Sequence, residues 1–413
     1  MKKIHYAWFI CAVCTLMLFT CMGVVANGFA VFMPMIRDEY GLTNAQTSSL
    51  ITLRNLVTFC GTWMTTIFYD KVGLRVGTTT AGILAGISFM IYSFADNYPL
   101  FCIGAAISGF AYAFGTMVPA AILMNRWFVK NKALALGIVG AGSGVAMIVI
   151  PPIATILAES AGLPFAFRAQ AIFMFCVAVV IFLVIKESPE SLGLRKFGES
   201  EEVQVVETAA KTNAALPDAS GPALPKSIYA TLIAACMLTG AVASVGYAHL
   251  SVLYTDAGFD SMFIASLISI IGLLLTVAKV FFGHITDRWG GFGTSMAFWL
   301  LVIIGHVGLC MAYTGNAVIA YGVAVVLGIG YSLTNLGASY WANDMVKQEH
   351  YPKVIRTLNV SQSAGALICS SVPGILADMS GNYLSSYIMF TAFTCAATIL
   401  TFLAYRQYRV LNS

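Results

Sequence analysis

Residues 262–290 read MFIASLISIIGLLLTVAKVFFGHITDRWG. From Met262 to His284 this stretch holds one charge, Lys279. A helix needs about 20 apolar residues to cross a bilayer core, and the run supplies them. It closes on Asp287-Arg288-Trp289-Gly290, and a similar close, Asp70-Lys71-Val72-Gly73, stands 217 positions earlier. Gly109-Phe110-Ala111-Tyr112 pairs with Gly328-Ile329-Gly330-Tyr331 at an offset of 219, and Pro152 with Pro373 at 221. Three landmarks in one order and nearly one register argue for an internal duplication.

The rest of the chain agrees. Of 413 residues, 59% are hydrophobic and 10% charged. Soluble domains carry about 25% charge, which excludes a soluble enzyme, a disordered chain or a nucleic-acid binder. About 240 apolar residues, at roughly 20 per span, allow about twelve helices. The runs are long and continuous, unlike the alternating ten-residue strands of a membrane barrel. The predicted fold is therefore an all-α membrane protein of twelve transmembrane helices. Its spans are 6–32, 46–68, 75–95, 99–124, 133–157, 164–186, 227–253, 262–284, 293–313, 317–342, 355–377 and 383–405. The N-terminal apolar run reaches Phe32, so it reads as the first span and not as a cleaved signal. The ten cysteines, Cys11 and Cys14 included, fall in apolar segments and read as packing residues.

Eighteen of the 22 basic residues lie in the even-numbered loops or at the ends of the chain. The opposite loops carry Arg37 with Asp38, Glu39, Asp96, Glu159, Asp256, Asp260 and Asp378. Both termini are therefore predicted to be cytoplasmic. The polar stretch 187–226 lacks apolar periodicity and reads as a flexible cytoplasmic linker. It separates an N-terminal six-helix bundle, 1–186, from a C-terminal one, 227–413. Two parallel repeats of this kind imply alternating access around a central site near the midplane.

The chain resembles the major facilitator superfamily. Its loop mark, G-x-x-x-D-[RK]-x-G-[RK]-[RK], is kept at Asp70, Lys71, Gly73 and Arg75 and departs at Thr66 and Leu74. The second copy keeps Gly283, Asp287, Arg288 and Gly290. Within the superfamily it is similar to the oxalate/formate antiporter and monocarboxylate porter group. That likeness rests on four stretches. They are Asn125-Arg126-Trp127-Phe128 with Lys130 and Lys132, the Gly140/Gly142/Gly144 helix closing on Pro151-Pro152, residues 187–194, and His249 to Gly258. The resemblance implies a cytoplasmic gate of Asp70, Lys71, Arg75, Asp287, Arg288 and Arg126. It also places Lys279 where the family usually has an arginine that binds the substrate carboxylate. Proton-coupled relatives put an Asp one turn earlier, where this chain has Leu275.

Charges inside spans are costly, about 2.5–3.5 kcal/mol at mid-bilayer, and are seldom idle. Lys279 stands eight residues before Asp287, about 12 Å along a helix and close to the midplane. Arg54, in the second span, is a second anion ligand or an outer gate. Arg168 reads as an interfacial anchor. With no Asp or Glu in mid-span, an anionic cargo is expected. Tyr112, Tyr331, Asn335, Asn27, Tyr247, Asn359 and Gln362 are candidate lining residues. His249 is the candidate proton site, and His306 reads as peripheral. Gly140 and Gly144 are spaced for close helix packing. Neither a soluble catalytic constellation nor a phosphate loop occurs, so no enzyme, cofactor or metal is expected. The expectation is a monomeric secondary transporter of small organic anions in a bacterial inner membrane, driven by protons or a counter-transported anion. The alternative is an exporter of larger amphipathic metabolites or drugs.

Overall fold

The computed structural model describes residues 5–198, 224–346 and 350–412. Nearly all of them are helical, and the one β-feature among them is an isolated bridge between Phe128 and Phe197. The helices are α1 (Tyr6–Tyr40), α2 (Asn44–Val72), α3 (Leu74–Phe94), α4 (Tyr98–Trp127), α5 (Lys132–Ala161) and α6 (Leu163–Val184). Then come α7 (Lys226–Gly246, with a short continuation Leu250–Asp256) and a Ser261–Cys310 helix. The latter breaks at Gly290 into α8 (261–289) and α9 (291–310). Next are α10 (Ala317–Met345), α11 (Tyr351–Cys369, continued as Val372–Ser380) and α12 (Leu384–Asn412). Among the described residues, eleven segments are long and apolar enough to cross a membrane. The 29-residue α2 is not one of them, since Arg54, Asn55 and its threonines lower its hydropathy.

The chain gathers into two compact units. α1 passes from the first to the second after Asn27, and α2 crosses the other way after Asn55. Residues 147–160 of α5 also belong to the second unit. In the first unit α3 lies against α4 and α6. A Cβ on Gly82 would stand 3.0 Å from the Ala178 methyl, so these helices meet through small residues. α1 meets α5 at Gly142, where a Cβ would strike the Thr15 carbonyl. This corrects the Gly140 expectation: a Cβ there meets only the Met117 methyl at 3.6 Å, an ordinary contact. In the second unit α7 and α11 approach backbone to backbone. A Cβ on Gly240 would strike the Gln362 carbonyl, and one on Gly365 the Met237 carbonyl.

Local structure recurs at the offset seen in the sequence. Gly73 has φ 82° and Gly290 has φ 71°, a left-handed turn that L-residues resist, so the glycine of each loop motif is a backbone requirement. Asn97 and Asn316, 219 apart, both cap a following helix with the side-chain oxygen. α1 carries a π-turn over Phe19–Asn27 and α7 one over Ala241–Gly246, ending 219 residues apart.

The stretch expected to be a flexible linker starts as ordered chain. Phe197 N–H donates to the Trp127 carbonyl at 2.8 Å, and Phe197 O accepts from Val129 N–H at 3.0 Å. Its ring packs on Trp8 and Phe128 at centroid distances of 5.7 and 5.6 Å. These contacts of the half-buried Phe197 tie the end of this segment to the α4–α5 loop. Residues 199–223 of the stretch lie outside the described residues.

Candidate functional site

α8 begins on Asp260, whose carboxylate accepts from Met262 and Phe263 N–H, and carries its apolar run inward to Lys279. Leu275 and Ala278 beside Lys279 are buried, while Lys279 itself is half-buried. Among the described residues no carboxylate forms an ion pair with its ammonium, and no hydrogen bond reaches it. A buried or half-buried cation without a fixed counter-charge is expensive in an apolar setting, and a bound anion removes that cost.

Arg54 is 8% exposed, and its guanidinium lies 6.0 Å from the Phe29 ring centroid, at the edge of cation–π range. Three candidates, Tyr331, Asn335 and Gln362, sit together where α10 meets α11. The Asn335 amide donates to the Tyr331 carbonyl at 3.0 Å, and the Gln362 amide to the Thr334 carbonyl at 2.8 Å. The Gln362 bond joins α11 to α10, as interhelical polar residues do, while the Asn335 bond runs back one turn within α10. Asn335 and Asn359 are exposed. Tyr247 and Tyr331 are buried at 8% and 3% exposure. In the first unit Asn27 closes the α1 π-turn and is half-buried, as is Tyr112 on α4.

His249 is wholly buried with both ring nitrogens engaged. Nδ1 faces the Val245 carbonyl at 2.9 Å and Nε2 faces the Ser48 hydroxyl at 2.8 Å. A carbonyl only accepts, so Nδ1 carries the hydrogen and the Ser48 hydroxyl donates to Nε2. That is a neutral imidazole with its hydrogen bonds satisfied. It belongs to a polar cluster around the first turns of α2, all in the second unit. The Asp378 carboxylate accepts from Asn44 and Ala45 N–H at 3.0 and 2.8 Å, a favourable charge at a helix N-terminus. Arg37 pairs with Asp256 at 2.7 Å and donates to the Asn44 side chain at 3.0 Å. The Ser370 hydroxyl donates to Thr52 Oγ1 at 2.9 Å. A Cβ on Gly374 would strike the Ser48 hydroxyl and the Asn44 carbonyl. Sequence reasoning placed Arg37, Asp256 and Asp378 in loops and missed their convergence, since their partners lie more than 200 positions away.

The expected gate residues fall in two groups. Asp70, Lys71 and Arg288 are exposed, and the side chain of Asp287 lies outside the described residues. Arg75 and Arg126 instead meet on Glu187, which the sequence marked only as part of a motif. Glu187 Oε1 accepts from Arg75 N–H at 2.9 Å, and Oε2 pairs with Arg126 at 3.2 Å. The Arg75 side chain donates to the Phe182 carbonyl at 2.7 Å and lies 4.2 Å from the Phe182 ring centroid. A Cβ on Gly73 would stand 2.8 Å from Glu187 Oε1, so the carboxylate fills the space the glycine leaves.

Comparison with known proteins fits this framework. The chain is 24% identical over 384 residues to monocarboxylate transporter 13 of Rattus norvegicus, covering 91% of this chain and 83% of that one. It is 23% identical over 390 residues to monocarboxylate transporter 2 of the same species, covering 89% and 78%. Among solved structures it resembles the D-xylose-proton symporter (TM-score 0.73, 12% identity, 95% and 96% covered). It also resembles the nucleoside transporter NupG (TM-score 0.75, 12% identity, 97% and 100% covered). The relatives are transporters, not enzymes, and this chain is a multi-pass integral membrane transporter of the same type. The profile of the Major Facilitator Superfamily matches residues 9–355, and the chain belongs to that family.

Proposed function

We propose that the protein is a secondary transporter of small organic anions, a monocarboxylate or short dicarboxylate. The observation that carries this reading is Lys279, a half-buried cation on a membrane helix with no ion-pair partner among the described residues. The names of the relatives, monocarboxylate transporters, support the same cargo class. In this reading twelve spans form two six-helix bundles, 1–186 and 227–413, joined by 187–226, with both termini cytoplasmic. The substrate carboxylate neutralises Lys279, which lowers the cost of enclosing the charge and lets the bundles rock around the site. A lysine offers a point charge where the resembled family has a bidentate fork, so it tolerates carboxylates of varied shape. Arg54 is the second cation. Asn27, Asn335, Asn359 and Gln362 supply polar edges, and the rings of Tyr112, Tyr247 and Tyr331 an apolar wall. The cluster around Arg37, Ser48, His249 and Asp256 acts as the outer gate, while Glu187 with Arg75 and Arg126 stiffens the cytoplasmic end. Exchange of anions or ion coupling drives the cycle.

The test is uptake of labelled lactate, formate and oxalate by proteoliposomes. Lys279→Ala is expected to abolish uptake of the accepted anion, and Lys279→Arg to retain part of it. Undiminished uptake by Lys279→Ala refutes the site.

A further inference from the structure

Three buried polar atoms have no hydrogen-bond partner among the described residues: Tyr247 Oη at the end of the α7 π-turn, Tyr331 Oη on α10 and His306 Nε2 on α9. All three belong to the second unit, and His306 is fully buried. His306 comes from α9 and Tyr331 from α10, with ring centroids 6.0 Å apart. Tyr247 immediately follows Gly246, and a Cβ on Gly246 would stand 3.8 Å from His306 Nε2. The rings of His306 and Tyr331 and the Gly246–Tyr247 end of α7 therefore meet between α7, α9 and α10. Phe390 of α12 flanks it, and Tyr387 of α12 donates to the Gly246 carbonyl at 2.8 Å.

The chemistry of the set is complementary. His306 Nδ1 faces the Val302 carbonyl at 2.9 Å. That carbonyl only accepts, so the ring hydrogen is on Nδ1 and Nε2 is a bare acceptor. The two hydroxyls can each donate or accept. No carboxylate, lysine or arginine acts on His306 among the described residues; the groups facing it are Tyr331 from α10, the Gly246–Tyr247 end of α7, and Phe390 and Tyr387 from α12. One acceptor and two amphoteric hydroxyls, all buried and uncharged, suit a small neutral molecule that donates and accepts. Buried polar atoms in native proteins find partners, and a water with two to four polar neighbours is the usual one.

We propose that Tyr247, Tyr331 and His306 hold a bound water inside the second unit. This water donates to His306 Nε2 and bridges the two tyrosine hydroxyls. It ties the end of the α7 π-turn to α9 and α10, and it gives His306 a structural task in place of the peripheral one read from its position. The rings of Tyr247 and Tyr331 still face the wall assigned above, and the site is independent of which cargo the protein carries.

The sign of a stability change tests it. In a hydrated site Tyr331→Phe removes one of the water's partners, and the thermal midpoint of the purified, ligand-free protein falls. In a dry site the same change removes an unsatisfied buried hydroxyl, and the midpoint stays or rises. Tyr247→Phe is expected to fall as well, and the double variant to fall by less than the sum, because both serve one molecule. A high-resolution map is expected to show density within hydrogen-bond reach of all three atoms. An unchanged or raised midpoint for Tyr331→Phe, strictly additive losses, or a map without that density overturns the proposal.

Discussion

Two ion pairs in this protein differ in setting, and their strengths are predicted to differ accordingly. Arg37 and Asp256 lie 2.7 Å apart with side chains 16% and 18% exposed. Arg126 and Glu187 lie 3.2 Å apart with side chains 47% and 43% exposed. At an effective dielectric of about 20 the first pair gains about 6 kcal/mol of Coulomb energy, and at about 80 the second gains about 1 kcal/mol. Desolvation takes back much of the first figure, and screening and side-chain entropy most of the second. Arg37 also spans Asp38 at 2.8 Å and Asn44 at 3.0 Å, which holds its guanidinium in one geometry. Burial acts to raise the Asp256 carboxyl, and the Arg37 bonds act to lower it. A double-mutant cycle on Arg37→Ala and Asp256→Ala, read by unfolding in mixed micelles, is expected to give a coupling of about 1–3 kcal/mol. The Arg126→Ala and Glu187→Ala cycle is expected to give about 0–1 kcal/mol and to shrink at high salt. A larger coupling for the exposed pair, or equal salt sensitivity, refutes the reasoning.

Other predictions follow from single positions. Gly240→Ala pushes a methyl into the Gln362 carbonyl and should cost about 1–3 kcal/mol or more, seen as a lowered unfolding midpoint, whereas Gly140→Ala should be near neutral. Gly290→Ala meets no atom within 4 Å and should cost only the left-handed strain, about 1–2 kcal/mol, while Gly73→Ala should cost more because Glu187 Oε1 stands 2.8 Å from the new methyl. The Tyr405 hydroxyl donates to the Asp344 carboxylate at 2.7 Å, so Tyr405→Phe should lower stability by about 1.5–3 kcal/mol in the same assay.

Much of the fold could be read from apolar run length and from repeated landmarks, because both are local properties of the chain. The loop glycines at Gly73 and Gly290 are an example: the repeated motif marks both positions, and each has positive φ. The candidate site was legible where a single residue breaks a pattern, as Lys279 does. Relations between distant positions were not legible. Ser48 and His249 are 201 residues apart, and no sequence signal joins them. Glu187 was visible within a motif, but its service to both Arg75 and Arg126 depends on how α6 ends beside α3 and α4. Gly142, not Gly140, meets α1 because helix rotation sets the contact face, and an even spacing of glycines leaves that rotation open.

The two π-turns carry a statement about ancestry. A π-turn is the mark of one residue inserted into a regular helix. The turns of α1 and α7 end at Asn27 and Gly246, separated by 219 positions, the offset that also relates Asn97 to Asn316. Two separate insertions at one register would be a coincidence. One insertion copied along with the segment around it would leave this shared offset, so the π-turns join Asn97 and Asn316 as structural marks of the repeat read from the sequence.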